Sequence, residues 1–208
     1  QIEAFKRWWQ RYGTAAAISV VLASALYLGW NLYQQNQADA AVKASEQYDK
    51  LAELLKNQDK PLSAEQKTQV KTLSESLLTQ HKSSLYADLA ALAQAKIAVD
   101  DKDYASAATT LRRVVETSTD APTASIARLR LAKVLAADGK VDEALGLLNT
   151  TAGAAFEASF AETKGDILMG EKRIADAYSA YQVALTATSK QGGQESAMRR
   201  SILQFKLD

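Results

Sequence analysis

One spacing pattern, which occurs three times between residues 95 and 181, constrains the fold most. Each copy begins at a small residue (Ala95, Ala132 or Gly165), with a large apolar residue nine positions later and alanine twelve positions later. A further large residue follows sixteen positions after the small one, and the copies begin 37 and 33 residues apart. The residues at these three positions are Tyr104, Ala107 and Leu111 in the first copy, Val141, Ala144 and Leu148 in the second, and Ile174, Ala177 and Tyr181 in the third. The pattern predicts pairs of helices that cross closely where the small residues meet.

This spacing resembles the tetratricopeptide repeat, a pair of antiparallel helices of about 34 residues. The repeats are divergent, because the consensus Trp and Tyr of the first helix are missing and no proline closes each unit. A general stack of helical hairpins is the alternative. Residues 194–205, with Ala197, Ile202 and Phe205 as apolar positions, are predicted to form a terminal helix that covers the last apolar face.

The composition predicts an all-α fold. Two prolines and nine glycines in 208 residues leave few sites for the turns of a sheet, and Ala, Leu, Lys, Gln and Glu are strong helix formers. Two apolar stripes with helical spacing, over 41–55 and 66–77, precede the repeats, with a predicted turn at 57–62 between them. Ser63 and Gln66 are spaced as a capping box at the start of the second stripe.

A run of twenty uncharged residues, 14–33, is predicted to be a single transmembrane helix. At about 1.5 Å per residue, such a helix covers a hydrocarbon core of roughly 30 Å. Three basic residues precede the run, no positive charge follows it until Lys43, and Trp and Tyr flank both ends. Basic residues remain on the cytoplasmic side. We therefore predict a cytoplasmic segment 1–13 and an extracytoplasmic helical-repeat domain 34–208.

Cleavage as a signal peptide is the alternative, since Ala38-Asp39-Ala40 offers a small-x-small site and would release a soluble adaptor. We favour a retained anchor, because the apolar run is longer than a usual signal core and ends in bulky aromatic residues. The helix is expected to continue through 34–37, although a hinge there is equally compatible with its polar residues.

Two sets of residues are predicted to bind partners. In the anchor, small residues four positions apart permit close approach of another helix; they are Ser19 and Ala23, and Ala25 and Gly29. In the repeats, the first helices of the pairs are expected to form a concave surface. Its predicted lining is Leu92, Lys96, Val99, Leu129, Lys133, Ala136 and Met169. The alternatives are an anchor that is merely rich in alanine and, for several repeat positions, an ordinary place in the core.

The sequence offers no constellation for catalysis. There is no cysteine, and the single histidine, His81, lies in a polar turn without a metal-ligand cluster. The acidic cluster that begins at Asp100 lacks the terminal Glu of a calcium loop, since Leu111 stands at the twelfth position. The net charge of +1 provides no strong field for nucleic acid. We therefore predict a non-enzymatic protein without cofactor, metal, nucleic acid or small-molecule substrate.

The order of parts resembles a known family. Residues 3–13 with the Trp8-Trp9 pair precede the anchor, Gly29-Trp-Asn-Leu-Tyr33 closes it, and 40–48 lead into the repeats. Over essentially the whole chain this arrangement is similar to the YfgM family, the ancillary subunits of the bacterial SecYEG translocon. Such families usually begin with a short acidic cytoplasmic segment, so we expect that residues before Gln1 have been trimmed.

The resemblance implies a single-pass protein of the bacterial inner membrane with a periplasmic repeat domain. It implies association with SecYEG and with a PpiD-like periplasmic prolyl isomerase, and a role in passing newly translocated proteins to periplasmic chaperones. It also implies a cytoplasmic link to an RcsB-like regulator through the N-terminal segment. The alternative function is a membrane-anchored scaffold for another envelope complex, such as outer-membrane assembly or cell division.

Overall fold

The computed structural model describes residues 2–56, 62–82, 84–150 and 153–208, apart from the side chains of residues 2–17 and 20. Within these ranges the chain is all-α, as predicted, and divides into two compact units, Gln1–Glu46 and Gln47–Asp208. Most of the predicted turn at 57–62 lies outside the described residues. The helices are α1 (Ile2–Leu55), α2 (Ala64–Gln80), α3 (Leu85–Asp100), α4 (Tyr104–Thr117), α5 (Ala121–Ala137), α6 (Val141–Leu148), α7 (Glu157–Gly170), α8 (Ile174–Ser189) and α9 (Gln194–Leu207).

In the first unit, α1 is helical through residues 34–37, where the sequence is compatible with either helix or hinge. From residue 21 to residue 39 the side chains of α1 are exposed, Leu26 to 74% and Tyr27 to 70%. Among the residues that the structure describes, no helix has both the length and the apolar character needed to cross a membrane. The transmembrane assignment of 14–33 stays a prediction.

In the second unit, α2 begins with the predicted capping box. The Gln66 backbone N–H donates to Ser63 Oγ at 3.2 Å, and the Ser63 backbone N–H donates to Gln66 Oε1 at 2.9 Å. Two backbone donors at the helix start are thereby satisfied. Val70 and Leu77 of the predicted apolar stripe are fully buried.

The three predicted helix pairs are α3–α4, α5–α6 and α7–α8, each joined by three residues. In every turn the second connecting residue has positive φ: Lys102 and Lys172 at 60° and Gly139 at 79°. The next backbone N–H then donates to a carbonyl five residues back, from Asp103 to Ala98 at 2.8 Å in the first turn. This is the Schellman ending of a helix. The turns therefore repeat in conformation as well as in sequence spacing.

The small residues of the repeat lie in the core, as their spacing predicts. Ala95 is 2% exposed, Ala132 is fully buried, and all three alanines at the twelfth position are fully buried. The large residues at the sixteenth position are buried too, with exposures of 1% for Leu111, 6% for Leu148 and 3% for Tyr181. One apolar cluster runs through the three pairs and reaches Leu203 on α9.

The terminal helix α9 is present where predicted, but its predicted apolar face is wrong. Ile202 and Phe205 are 47% and 83% exposed, whereas Leu203 is fully buried. The buried face also carries Arg199, which donates to Ser159 Oγ at 2.7 Å, and Lys206. Contacts of these long polar side chains with α7 orient the helix. The spacing of apolar residues in the sequence does not predict such polar contacts.

Candidate partner-binding groove

A groove between α3 and α5 brings together three of the predicted partner-binding residues: Lys96, Val99 and Lys133. Its volume is about 330 Å³. The remaining lining residues are Ala95, Leu111, Arg130 and Val134. The register of the repeats thus placed residues of two different helices on one surface.

The groove has an apolar floor (Ala95, Val99, Leu111 and Val134) and a cationic rim (Lys96, Arg130 and Lys133). Three floor side chains are nearly buried, with exposures of 2% for Ala95, 1% for Leu111 and 6% for Val134. The rim side chains are exposed.

Helical spacing produces this arrangement. Lys96 and Val99 are three residues apart, as are Arg130 and Lys133, so each pair lies on one face of its helix. Lys96 Nζ is 3.3 Å from Asp100 Oδ2 one turn further along α3. An exposed pair of this kind contributes little stability, so it does not commit the lysine to that partner.

The other predicted repeat residues lie outside the groove. Leu92 is 5% exposed and belongs to the core, and Leu129 and Ala136 are half-buried against it. Met169 on α7 is 39% exposed. In the first unit, Ser19, Ala23, Ala25 and Gly29 are all exposed, and a Cβ at Gly29 would meet nothing within 4 Å. Partner binding by any of these residues stays a prediction.

A second, larger groove was missed from the sequence. It lies beside α6, α7 and α8, has a volume of about 1050 Å³, and includes Leu145, Phe160 and Val183 in its lining. It is open because α6 has only 8 residues, against 14 in α4 and 16 in α8. The sequence does indicate that α6 ends early. The polar residues Asn149 and Thr150 stand where a third turn of the helix would lie.

At the last helix pair, side chains from three helices form a polar cluster around Tyr181. The Tyr181 hydroxyl donates to Asp166 Oδ1 at 2.9 Å. Lys206 Nζ of α9 lies 2.6 Å from the same carboxylate oxygen, 3.0 Å from Glu162 Oε1, and 5.3 Å from the centre of the Tyr181 ring. These contacts fasten α9 to α7 and α8.

The surroundings in this cluster raise the pKa of two side chains, Tyr181 and Lys206. Burial raises the pKa of Tyr181 to about 12, reinforced by the hydrogen bond to Asp166 and its negative charge. Burial alone would lower the pKa of Lys206, but hydrogen bonds to Asp166 and Glu162, with the charges of both, raise it above its ordinary value. Both shifts favour the protonated side chains in the folded protein.

Both grooves are lined by a mixture of apolar and charged side chains. Within the described ranges, no group of three or more acidic or histidine side chains is able to hold a metal ion. The α3–α5 groove instead offers an apolar floor beside exposed cations, which suits recognition of a segment that carries both apolar and negatively charged groups.

Comparison with known proteins agrees with this architecture. Residues 6–208 match the family model of a tetratricopeptide repeat-like domain. The ancillary SecYEG translocon subunit of Haemophilus influenzae is 29% identical over 200 residues, covering 96% of this chain and 94% of the relative. The proteins of the same name from Aggregatibacter actinomycetemcomitans and Neisseria gonorrhoeae are 31% identical (88% and 86% covered) and 30% identical (100% and 94% covered). No solved structure gives a significant match.

The fold and the family model together define a helical-repeat protein of the tetratricopeptide-like class. Within that class, the chain belongs to the family of ancillary SecYEG translocon subunits, as the resemblance in its sequence predicts.

Proposed function

We propose that this protein associates with the SecYEG translocon as a non-catalytic ancillary subunit. The observation that carries this proposal is similarity over nearly the full length to relatives that bear that name. Similarity of this extent covers the N-terminal helix as well as the repeats. The proposal therefore includes anchoring in the bilayer by 14–33, with residues 1–13 in the cytoplasm and the repeat domain in the periplasm.

In this proposal the protein acts as an adaptor that passes newly translocated proteins to periplasmic chaperones, together with a PpiD-like prolyl isomerase. The exposed α3–α5 groove supports an adaptor role, because a stack of helix pairs presents such surfaces to extended segments of a partner. An RcsB-like regulator at the N-terminal segment completes the proposed set of partners.

Site-specific photocrosslinking in native membranes tests the proposal. Probes at Ser19 and Ala25 report on the anchor, and probes at Val99 and Lys133 report on the groove. A probe at the exposed Lys190, at the end of α8, is the control. We expect the anchor probes to crosslink to SecYEG and the groove probes to crosslink to a PpiD-like isomerase or to exported chains.

The outcome also separates this function from its alternative. If the anchor and groove probes crosslink only to another envelope complex, the protein is a scaffold of that complex. Co-purification after mild detergent extraction provides the second readout. Absence of SecYEG from a well-solubilised preparation that retains the protein would contradict the proposal directly.

A further inference from the structure

The polar cluster at Tyr181 shows how the surface between α7 and the terminal helix α9 is filled. There Lys206 reaches across from α9 and lies above the ring of Tyr181, at 5.3 Å from its centre. Its ammonium group is held by Asp166 at 2.6 Å and Glu162 at 3.0 Å. One cation is thus enclosed by two carboxylates above an apolar base.

The α3–α5 groove occupies the corresponding place between the first and second helix pairs, but its charges differ. By repeat register, Lys96 corresponds to Asp166, Leu92 to Glu162, and Leu111 to Tyr181. The position of Asp166 is therefore occupied by a lysine, and the position of Glu162 by a leucine of the core. Two further cations, Arg130 and Lys133 of α5, also line the groove. No carboxylate is among the residues that line the groove, and Asp100, which pairs with Lys96 at 3.3 Å, lies outside the lining.

We propose that the α3–α5 groove binds an acidic peptide segment of a partner protein. A carboxylate of the segment pairs with the cationic rim, as Asp166 and Glu162 pair with Lys206, and a neighbouring apolar side chain rests on the apolar floor. This inference rests on the proposed adaptor function for its biological meaning.

The charge and the volume of the α3–α5 groove favour a short acidic segment. Exposed cations beside an apolar floor discriminate against basic segments and favour acidic ones, because like charges across an interface are unfavourable. A volume of about 330 Å³ lies at the lower end of the range for small-molecule pockets, so only a few residues of the segment occupy the groove. The net charge of +1 argues against nucleic acid as the anion.

Binding of synthetic peptides to the purified full chain in a non-ionic detergent tests the proposal. The probe is a fluorescein-labelled twelve-residue peptide of alternating Leu and Glu, and the matched probe carries Gln in place of every Glu. Fluorescence anisotropy should show binding of the Glu peptide that is at least about tenfold tighter than that of the Gln peptide. The difference should shrink as salt is added.

Two double variants that have the same net charge test whether the groove is the binding site. Arg130→Glu with Lys133→Glu reverses the rim, and Lys190→Glu with Arg200→Glu reverses two exposed cations elsewhere. We expect at least a tenfold loss for the first and unchanged binding for the second, with both retaining the circular dichroism of the parent. Lys96→Gln, a milder change, should weaken binding in the same direction.

Equal binding of the Glu and Gln peptides, or equal binding by the two double variants, would overturn the inference. The assay contains no translocon, so its failure is distinct from failure of the proposed association. Loss of SecYEG crosslinks with peptide binding intact would remove the proposed function and leave the groove specificity standing.

Discussion

Gly165 on α7 lies directly against the ring of Tyr181 on α8. A Cβ atom at Gly165 would be 2.4 Å from Cε1 and 2.5 Å from Cδ1 of that ring. The ring has little freedom to move away, since Tyr181 is 3% exposed and its hydroxyl is bonded to Asp166. The other two pairs combine alanine with leucine at these positions. The third pair therefore accepts a larger residue on α8 because α7 has no side chain at the contact.

Gly165→Ala should lower the free energy of unfolding by about 1–3 kcal/mol through overpacking. Gly146→Ala in α6 is the matched control: a Cβ there meets nothing within 4 Å. Its better helix propensity predicts a gain of up to about 1 kcal/mol. Denaturant unfolding followed by circular dichroism measures both. Adding Tyr181→Leu should recover much of the loss, and equal effects of the two alanine variants would contradict the close contact.

The left-handed residues in the turns predict a stabilising change. Lys102 and Lys172 both have φ of 60°, a conformation that costs a residue with a side chain roughly 1 kcal/mol. Lys102→Gly and Lys172→Gly should each raise the free energy of unfolding by about 0.5–1 kcal/mol, despite the extra freedom of glycine in the unfolded chain. Lys140→Gly, at a neighbouring turn position with φ of −91°, should not stabilise. Thermal unfolding of the three variants compares them directly.

The polar cluster predicts a loss of stability in alkali. The unfolded chain loses the Tyr181 proton near pH 10, whereas the folded protein retains it to about pH 12. Stability from this group is complete below pH 10 and is lost as pH rises through that interval, by about 2 kcal/mol. The raised pKa of Lys206 has the same sign. Thermal midpoints measured between roughly pH 8 and 12 should fall less steeply for Tyr181→Phe, and parallel curves would refute the assignment.

The orientation of α9 predicts unequal effects of truncating two nearby apolar residues. Leu203→Ala should lower the free energy of unfolding by about 2–4 kcal/mol, because Leu203 is fully buried. Phe205→Ala removes a larger side chain, but Phe205 is 83% exposed and the change should stay within about 0.5 kcal/mol. Urea unfolding of the pair distinguishes the two faces. A larger effect at Phe205 would mean that α9 packs in the register expected from its apolar period.

The helix pairs could be predicted from sequence because close crossings demand small residues at fixed spacing. Ala107, Ala144 and Ala177 show this requirement directly, and all three are fully buried. The face of α9 could not be predicted in this way. Its orientation depends on bonds from Lys206 to Glu162 and Asp166, which are 44 and 40 positions away in the chain.

The candidate site was predictable only in part, for a related reason. Register alone placed Lys96, Val99 and Lys133 on one surface, since they occupy related positions of successive repeats. Leu111 of α4 and Arg130 of α5 also line the groove, because the three helices pack closely. The sequence does not give the distances between those helices. The larger groove beside α6 follows from the early end of one helix, and helix ends are among the features that sequence periodicity defines least well.

The shortness of α6 also has a consequence for how the domain opens. A helix of eight residues is not stable alone in water, so α6 is held only by its neighbours. In a linear array of repeats, each unit is coupled mainly to the units beside it. We therefore expect the amide hydrogens of Leu145 and Leu148 to exchange with solvent faster than those of Leu111 and Val114 in α4; equal protection would contradict this. Cooperative unfolding of the array then begins in its middle pair rather than at its ends.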